Sequence, residues 1–196
     1  MQLISPEKIF RGDGAWLKAI PQIKKISKRP LLLGRSLSTN KIRQQIHKDL
    51  QDENFAICLA NLKFDCCYED LARIESFVLK NNCDSIIATG GGKVLDAGKL
   101  IADSLSMPVI TIPLSASTCA GWTALSNIYS INGQFIKDTE LKSCPKILVL
   151  DHAFIKTAPK RTLASGIADA LAKWYESSLT SSNVEDGLVQ QAIQIS

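Results

Sequence analysis

The 196-residue sequence has no apolar run approaching the ~20 residues a helix needs to cross a bilayer. Its opening, MQLISPEKIF, lacks a basic segment followed by a long apolar stretch, so no secretory leader is expected there. None of the six cysteines falls in a C-x-x-C pair, and the adjacent Cys66 and Cys67 match no zinc spacing. Reduced thiols in a cytoplasmic protein are the expectation. Charge of neither sign dominates: 23 Lys and Arg face 19 Asp and Glu, a net of +4. The short run KKISKR (24–29) reads as a solvated loop or helix end, not a nucleic-acid patch. Neither nucleic acid nor a membrane is expected as a partner. Internal repeats and low-complexity segments are absent too.

What is present is ordinary globular material, 45% hydrophobic and 21% charged, enough for one sizeable core. RPLLLGRS (29–36) is a short apolar run stopped by glycine and predicts a buried strand. Ile42, Ile46 and Leu50 then recur at helical spacing, with Ser38 or Thr39 as a cap. FAICLA (55–60) predicts a strand, and Leu71, Ile74 and Val78 share a helical face. SIIATG (85–90) predicts a strand, KVLDAGKLIADSL a helix and MPVITIPL (107–114) another strand. Strands alternating with helices of this length imply βαβ units and a parallel sheet. Asn132-Gly133 lies between two short runs and favours a hairpin turn. KILVLD (146–151) is a further buried strand.

After Asp151 the strand signals stop. Pro159 can open a helix. Ile167, Leu171 and Trp174 recur at helical spacing, as do Val184, Leu188 and Ala192. The expected division is an α/β domain over 1–157 and the beginning of a helical domain over 158–196, left unfinished.

The stretch ATGGGKVLDAGK (88–99) joins a strand to a helix through three glycines. Glycine lets backbone N–H groups approach a ligand closely, and the helix points its positive end at the same place. Together these suit an anion, most often phosphate. A Walker A loop is excluded, because Ile87 stands where its first glycine belongs and Val94 follows the lysine. The G-x-G-x-x-G pattern fails at Leu95.

GGGKVLDAGK resembles the coenzyme loop of the iron-containing alcohol dehydrogenase superfamily, particularly its glycerol dehydrogenase branch. PVITIPLSASTCAGWTALSNIYSINGQF, KILVLDHAFIKTAP and SGIADALAKWYES resemble further family segments in the same order. The resemblance covers nearly the whole chain. It implies a Rossmann-like parallel-sheet domain followed by an all-helical domain, the dehydroquinate synthase-like fold. It also implies NAD or NADP and one divalent ion, zinc or iron, in the cleft between the domains. By that resemblance Gly90, Gly91, Gly92 and Lys93 hold the pyrophosphate with Asp96 nearby. Ser117, Thr123, Leu125 and Tyr129 fall where the family lines the coenzyme pocket, and Asp169 falls on its first metal ligand. Without the family, Asp169 reads as half of a solvated i,i+4 pair with Lys173.

The sequence departs from that pattern in several places. Arg35 replaces an acidic residue that would accept bonds from the adenosine ribose, and an arginine there suits a 2′-phosphate, tilting the coenzyme toward NADP. A solvent-facing arginine is the alternative. Cys119 replaces an aspartate that contacts glycerol, as in a sister group acting on 2-oxo and 2-hydroxy acids. Leu114 replaces a threonine and removes a polar coenzyme contact. The family's two further metal ligands are histidines beyond the aspartate. His47 reads instead as an exposed helix residue and His152 as part of a turn. The expected protein is thus an NAD(P)-linked oxidoreductase on a small polyol or 2-hydroxy acid, with an alcohol or carbonyl substrate. It is expected to be homo-oligomeric, incomplete as a chain and inactive alone, with a missing C-terminal half as a partner. A non-catalytic dinucleotide-binding module is the alternative, and 3-dehydroquinate synthase a third reading that GWTALSNIY and GIADALAKWYE argue against.

Overall fold

The computed structural model describes residues 5–180. Strands β1 (Lys8–Gly12), β2 (Pro30–Gly34), β3 (Cys58–Asn61), β4 (Ser85–Gly90), β5 (Val109–Pro113) and β8 (Ile147–Asp151) form one sheet. Its order is β1-β8-β5-β4-β2-β3, parallel at every pairing. Helices α1 (Ala15–Ile26), α2 (Asn40–Asp52), α3 (Tyr68–Lys80) and α4 (Gly92–Ser104) make the crossovers.

The central strands are apolar throughout because both faces are covered. Leu32, Ile87, Ile110 and Ile112 pack on one side with Trp16, Ile20 and Ile23 of α1 and Ile46 and Leu50 of α2. Leu31, Leu33, Ile86 and Val109 turn the other way, onto Leu71, Ile74 and Val78 of α3 and Ala97 and Ile101 of α4. Each such fully buried side chain contributes roughly 1.5–3 kcal/mol. Gly98 lets α4 press onto β4, where a Cβ would lie 2.4 Å from that of Ala88.

Strands β6 (Leu125–Tyr129) and β7 (Phe135–Glu140) form the antiparallel hairpin expected around Asn132-Gly133, with a register shift at Ile128/Tyr129. Gly133 takes φ +80°, which an L side chain rarely adopts.

The structure adds β1 and α1 ahead of the first expected strand. It also starts β3 at Cys58, leaving Phe55 buried in the core outside the strand. Lys24 and Lys25 of the basic run end α1. After the short α5 (His152–Ile155), a single helix α6 (Lys160–Thr180) carries Ile167, Leu171 and Trp174. These three are exposed, at 54%, 61% and 45%. The second expected helical run, Val184 to Ala192, lies outside the described residues. No helix among the described residues is long and apolar enough to cross a membrane.

Candidate active site

The parallel sheet presents its strand C-termini along one edge, and the candidate residues collect there. Gly90 ends β4 and its carbonyl accepts from Leu114 N at 3.0 Å, tying the turn to the end of β5. Gly91 precedes α4, and its carbonyl accepts from Val94 N at 3.0 Å. A Cβ on Gly91 would meet nothing closer than Ser115 Oγ at 4.0 Å. The turn is therefore open on the side where a ligand would lie.

Two cavities adjoin this turn. One of about 610 Å³ is lined by Arg35, Ser36, Thr39, Gly90, Gly91, Gly92, Lys93, Val94, Arg161 and Thr162. The other, about 460 Å³, shares Gly92 and Lys93 with it and adds Asp96, Cys119, Thr123, Leu125, Tyr129, Asp169 and Lys173. Both volumes suit small-molecule sites. Nearly every expected site residue is thus brought to one crevice. Ser117 lines neither cavity; its Oγ lies 3.1 Å from Ser115 Oγ and its backbone lies against Gly166 of α6.

Helix α6 closes the crevice. Thr162, Gly166, Asp169 and Lys173 recur at intervals of three and four and so share a face. Gly166 meets Ala116 and Ser117 backbone to backbone. Arg161 and Thr162 therefore reach the first cavity while Asp169 reaches the second.

The ionic pattern differs from a simple phosphate-facing lysine. Lys93 Nζ lies 2.5 Å from Asp65 Oδ2 and 4.3 Å from the Tyr129 ring centre. Arg35 Nη1 lies 3.6 Å from Asp65 Oδ1, which also accepts from Cys66 N at 2.8 Å. Asp65 is buried. Beneath, Asp96 Oδ1 and Lys99 Nζ form a buried pair at 3.1 Å. Burial pushes the Asp96 carboxyl up and the Lys99 ammonium down, and each charge opposes the other's shift. Lys99 also donates to the Thr123 and Leu125 carbonyls, fixing the loop that lines the second cavity.

Asp169 Oδ2 accepts from Lys173 Nζ at 2.9 Å, and that bond raises the Lys173 pKa. Both side chains are partly exposed, so the solvated i,i+4 pair is present at the position the motif assigns to a metal ligand. No three His, Cys, Asp or Glu side chains among the described residues group so as to hold an ion. His47 is half-buried on α2 beside a separate small cavity with Arg43, not exposed as expected. That cavity is also lined by Leu32 and Leu59. His152 is exposed at the start of α5. All six cysteines are free.

Arg161 and Thr162, which line the first cavity, and Asp65, which holds Lys93 and Arg35, were not expected from the sequence. Asp65 sits in KFDCCYED without periodicity or motif to mark it. Arg161 carried one signal, its place just after Pro159 at a helix start.

Residues 6–152 match the iron-containing alcohol dehydrogenase family. An uncharacterized oxidoreductase of Synechocystis is 36% identical over 97% of this chain and 49% of its own length. A glycerol dehydrogenase of Escherichia coli is 31% identical over 88% of this chain and 47% of its own. The crystal structure of glycerol dehydrogenase from Schizosaccharomyces pombe superposes with a TM-score of 0.80 at 30% identity, covering 92% of this chain and 46% of that one. The chain spans about half the length of the curated relatives it matches.

Proposed function

The chain belongs to the iron-containing alcohol dehydrogenase family, and from that premise we propose that it is the coenzyme-binding part of an NAD(P)-linked oxidoreductase acting on the CH–OH group of a small polyol or 2-hydroxy acid. The observation that carries this reading is the glycine turn between two adjoining cavities, one cationic and one reaching Asp169. At Gly91 the turn is a cradle that a Cβ would fill without touching the protein, which fits a dinucleotide lying against backbone N–H groups.

In this reading Gly91 and Gly92 give close approach to the pyrophosphate, and the start of α4 lends its partial positive charge. Arg35, Ser36 and Thr39 line the end that takes the adenosine ribose, where Arg35 favours a 2′-phosphate and hence NADP. Thr123, Leu125 and Tyr129 line the nicotinamide end. When bound, the coenzyme supplies the hydride acceptor. The residues of this chain orient it and, with α6 over the crevice, exclude water from it. Cys119 in place of a carboxylate removes repulsion toward an acidic substrate, which favours a 2-hydroxy or 2-oxo acid over glycerol.

The divalent ion, zinc or iron, fits these residues only in part. Asp169 offers a hard anionic oxygen, but catalytic sites of this kind take about three protein ligands. The described residues hold no such group, so no step is assigned to an ion here. That same observation favours a second reading, dinucleotide binding without turnover by residues 1–196 alone.

Calorimetric titration with NAD and NADP tests the proposal. Gly91→Val should leave the fold intact, because its Cβ has room, and abolish coenzyme binding. Equal binding by wild type and variant would remove the glycine turn from the reading.

A further inference from the structure

We infer that Arg161, in the first turn of α6, is the side chain that meets the charge of the dinucleotide's pyrophosphate; this rests on coenzyme binding at the glycine turn. Each phosphate of that group carries a negative charge. The backbone at Gly91 and Gly92 answers it with the partial charge of a helix start, roughly half an elementary charge. A full cation beside that turn would add a charge-assisted contact to it.

Lys93, the obvious candidate by position, is already committed. Its ammonium is 2.5 Å from the Asp65 carboxylate and lies over the Tyr129 ring. Asp65 is buried and Lys93 is the nearer of its two cations, so drawing Lys93 onto a phosphate would weaken the closer contact that compensates this carboxylate. Arg35 also has Asp65 as its nearest carboxylate, at 3.6 Å. Arg161 lines the same cavity, and among the described residues its side chain enters no hydrogen bond or ion pair. Of the three cations that line this cavity among the described residues, Arg161 is the one with no carboxylate to give up before meeting a ligand.

Its placement follows from the packing of α6. Gly166 lets the helix lie directly on the Ala116–Ser117 backbone, five residues along from Arg161. That contact brings the helix start over the glycine turn. Guanidinium suits the role, because its planar fork matches two phosphate oxygens at once. Arg161 lies on α6, beyond residues 6–152.

The test is calorimetry with NAD and with NADP on wild type, Arg161→Gln and Arg161→Lys. Arg161→Gln should weaken both coenzymes by about ten- to a hundredfold and flatten the salt dependence of binding. Arg161→Lys should recover part of the loss. Arg161 is exposed, so thermal unfolding should not change. Equal affinities in wild type and Arg161→Gln would overturn the assignment and leave the glycine-turn site standing. A loss confined to NADP would place Arg161 on the 2′-phosphate and overturn the pyrophosphate assignment. A wild type that binds neither coenzyme would overturn this inference and the proposed function together.

Discussion

Gly166 and Ala116 meet so closely that a Cβ on the glycine would lie 1.8 Å from the alanine carbonyl oxygen. The neighbour is backbone, which cannot swing aside as a side chain would. This contact sets how low α6 lies over the crevice, and hence where Arg161 and Asp169 stand.

Gly166→Ala therefore pits two effects against each other. Alanine in a helix interior gains about 1 kcal/mol in propensity. The clash costs about 1–3 kcal/mol, as overpacking commonly does, unless the helix lifts. The expected outcome is a lower or unchanged Tm together with weaker coenzyme binding, because α6 moves away from the glycine turn. A higher Tm with undiminished coenzyme affinity would show that the contact does not position the helix.

Arg35→Asp should invert coenzyme preference from NADP to NAD. A charge-assisted contact to a 2′-phosphate is worth roughly 1.5–3 kcal/mol, about ten- to a hundredfold in affinity. Asp65, 3.6 Å from the guanidinium, competes for it and holds the gain toward the lower end. The measurement is the ratio of the two dissociation constants. An unchanged ratio would return Arg35 to a solvent-facing role.

The central sheet was legible because β2, β4, β5 and β8 are buried on both faces, which forces continuous apolar runs ended by glycine, proline or aspartate. The first two elements were not. β1 is an edge strand whose KIFRG mixes exposed and half-buried positions, and α1 carries Pro21 inside an otherwise regular pattern of Trp16, Ala19, Ile20 and Ile23. Proline removes a helix hydrogen bond and ordinarily marks a break. Within the site, the glycine turn was legible from its local order alone. The Asp65–Lys93 pair was not, since 28 residues separate partners that only the fold brings together. Arg161 faced the same obstacle, because its place depends on how α6 packs.

Asp84 should make the fold sensitive to acid. Burial alone would raise its carboxyl, but bonds from Ser27 Oγ at 2.6 Å, Lys28 N at 2.7 Å and Arg29 N at 2.9 Å outweigh that and hold it below the usual range. A depressed carboxylate contributes stability above its unfolded pKa, and that contribution is lost as pH falls through its folded pKa. Asp84→Asn should therefore cost about 1–2 kcal/mol at neutral pH. The gap to wild type should begin to narrow near pH 4, the ordinary aspartate range, and close as the pH falls through the lower folded pKa. Urea unfolding at both pH values reads this directly, and a gap that stays constant would exclude the linkage.

Asp169 and Lys173 set the last expectation. A divalent ion at Asp169 must displace an ammonium 2.9 Å away, whose raised pKa keeps it charged at neutral pH. A partly exposed pair of this kind is worth up to about 1 kcal/mol. Lys173→Met should therefore raise affinity for zinc by no more than about fivefold, from a weak starting point, because the described residues offer one carboxylate here, far short of the usual ligand set. Asp169→Asn should remove that binding altogether. Residues 1–196 in excess zinc should show no sustained change in coenzyme absorbance with glycerol or a 2-hydroxy acid, and a coenzyme-binding signal should persist. Sustained turnover that vanishes in Asp169→Asn would mean that a full ligand set forms around this carboxylate, across a dimer or otherwise. Binding without turnover would then have to be abandoned as the behaviour of residues 1–196.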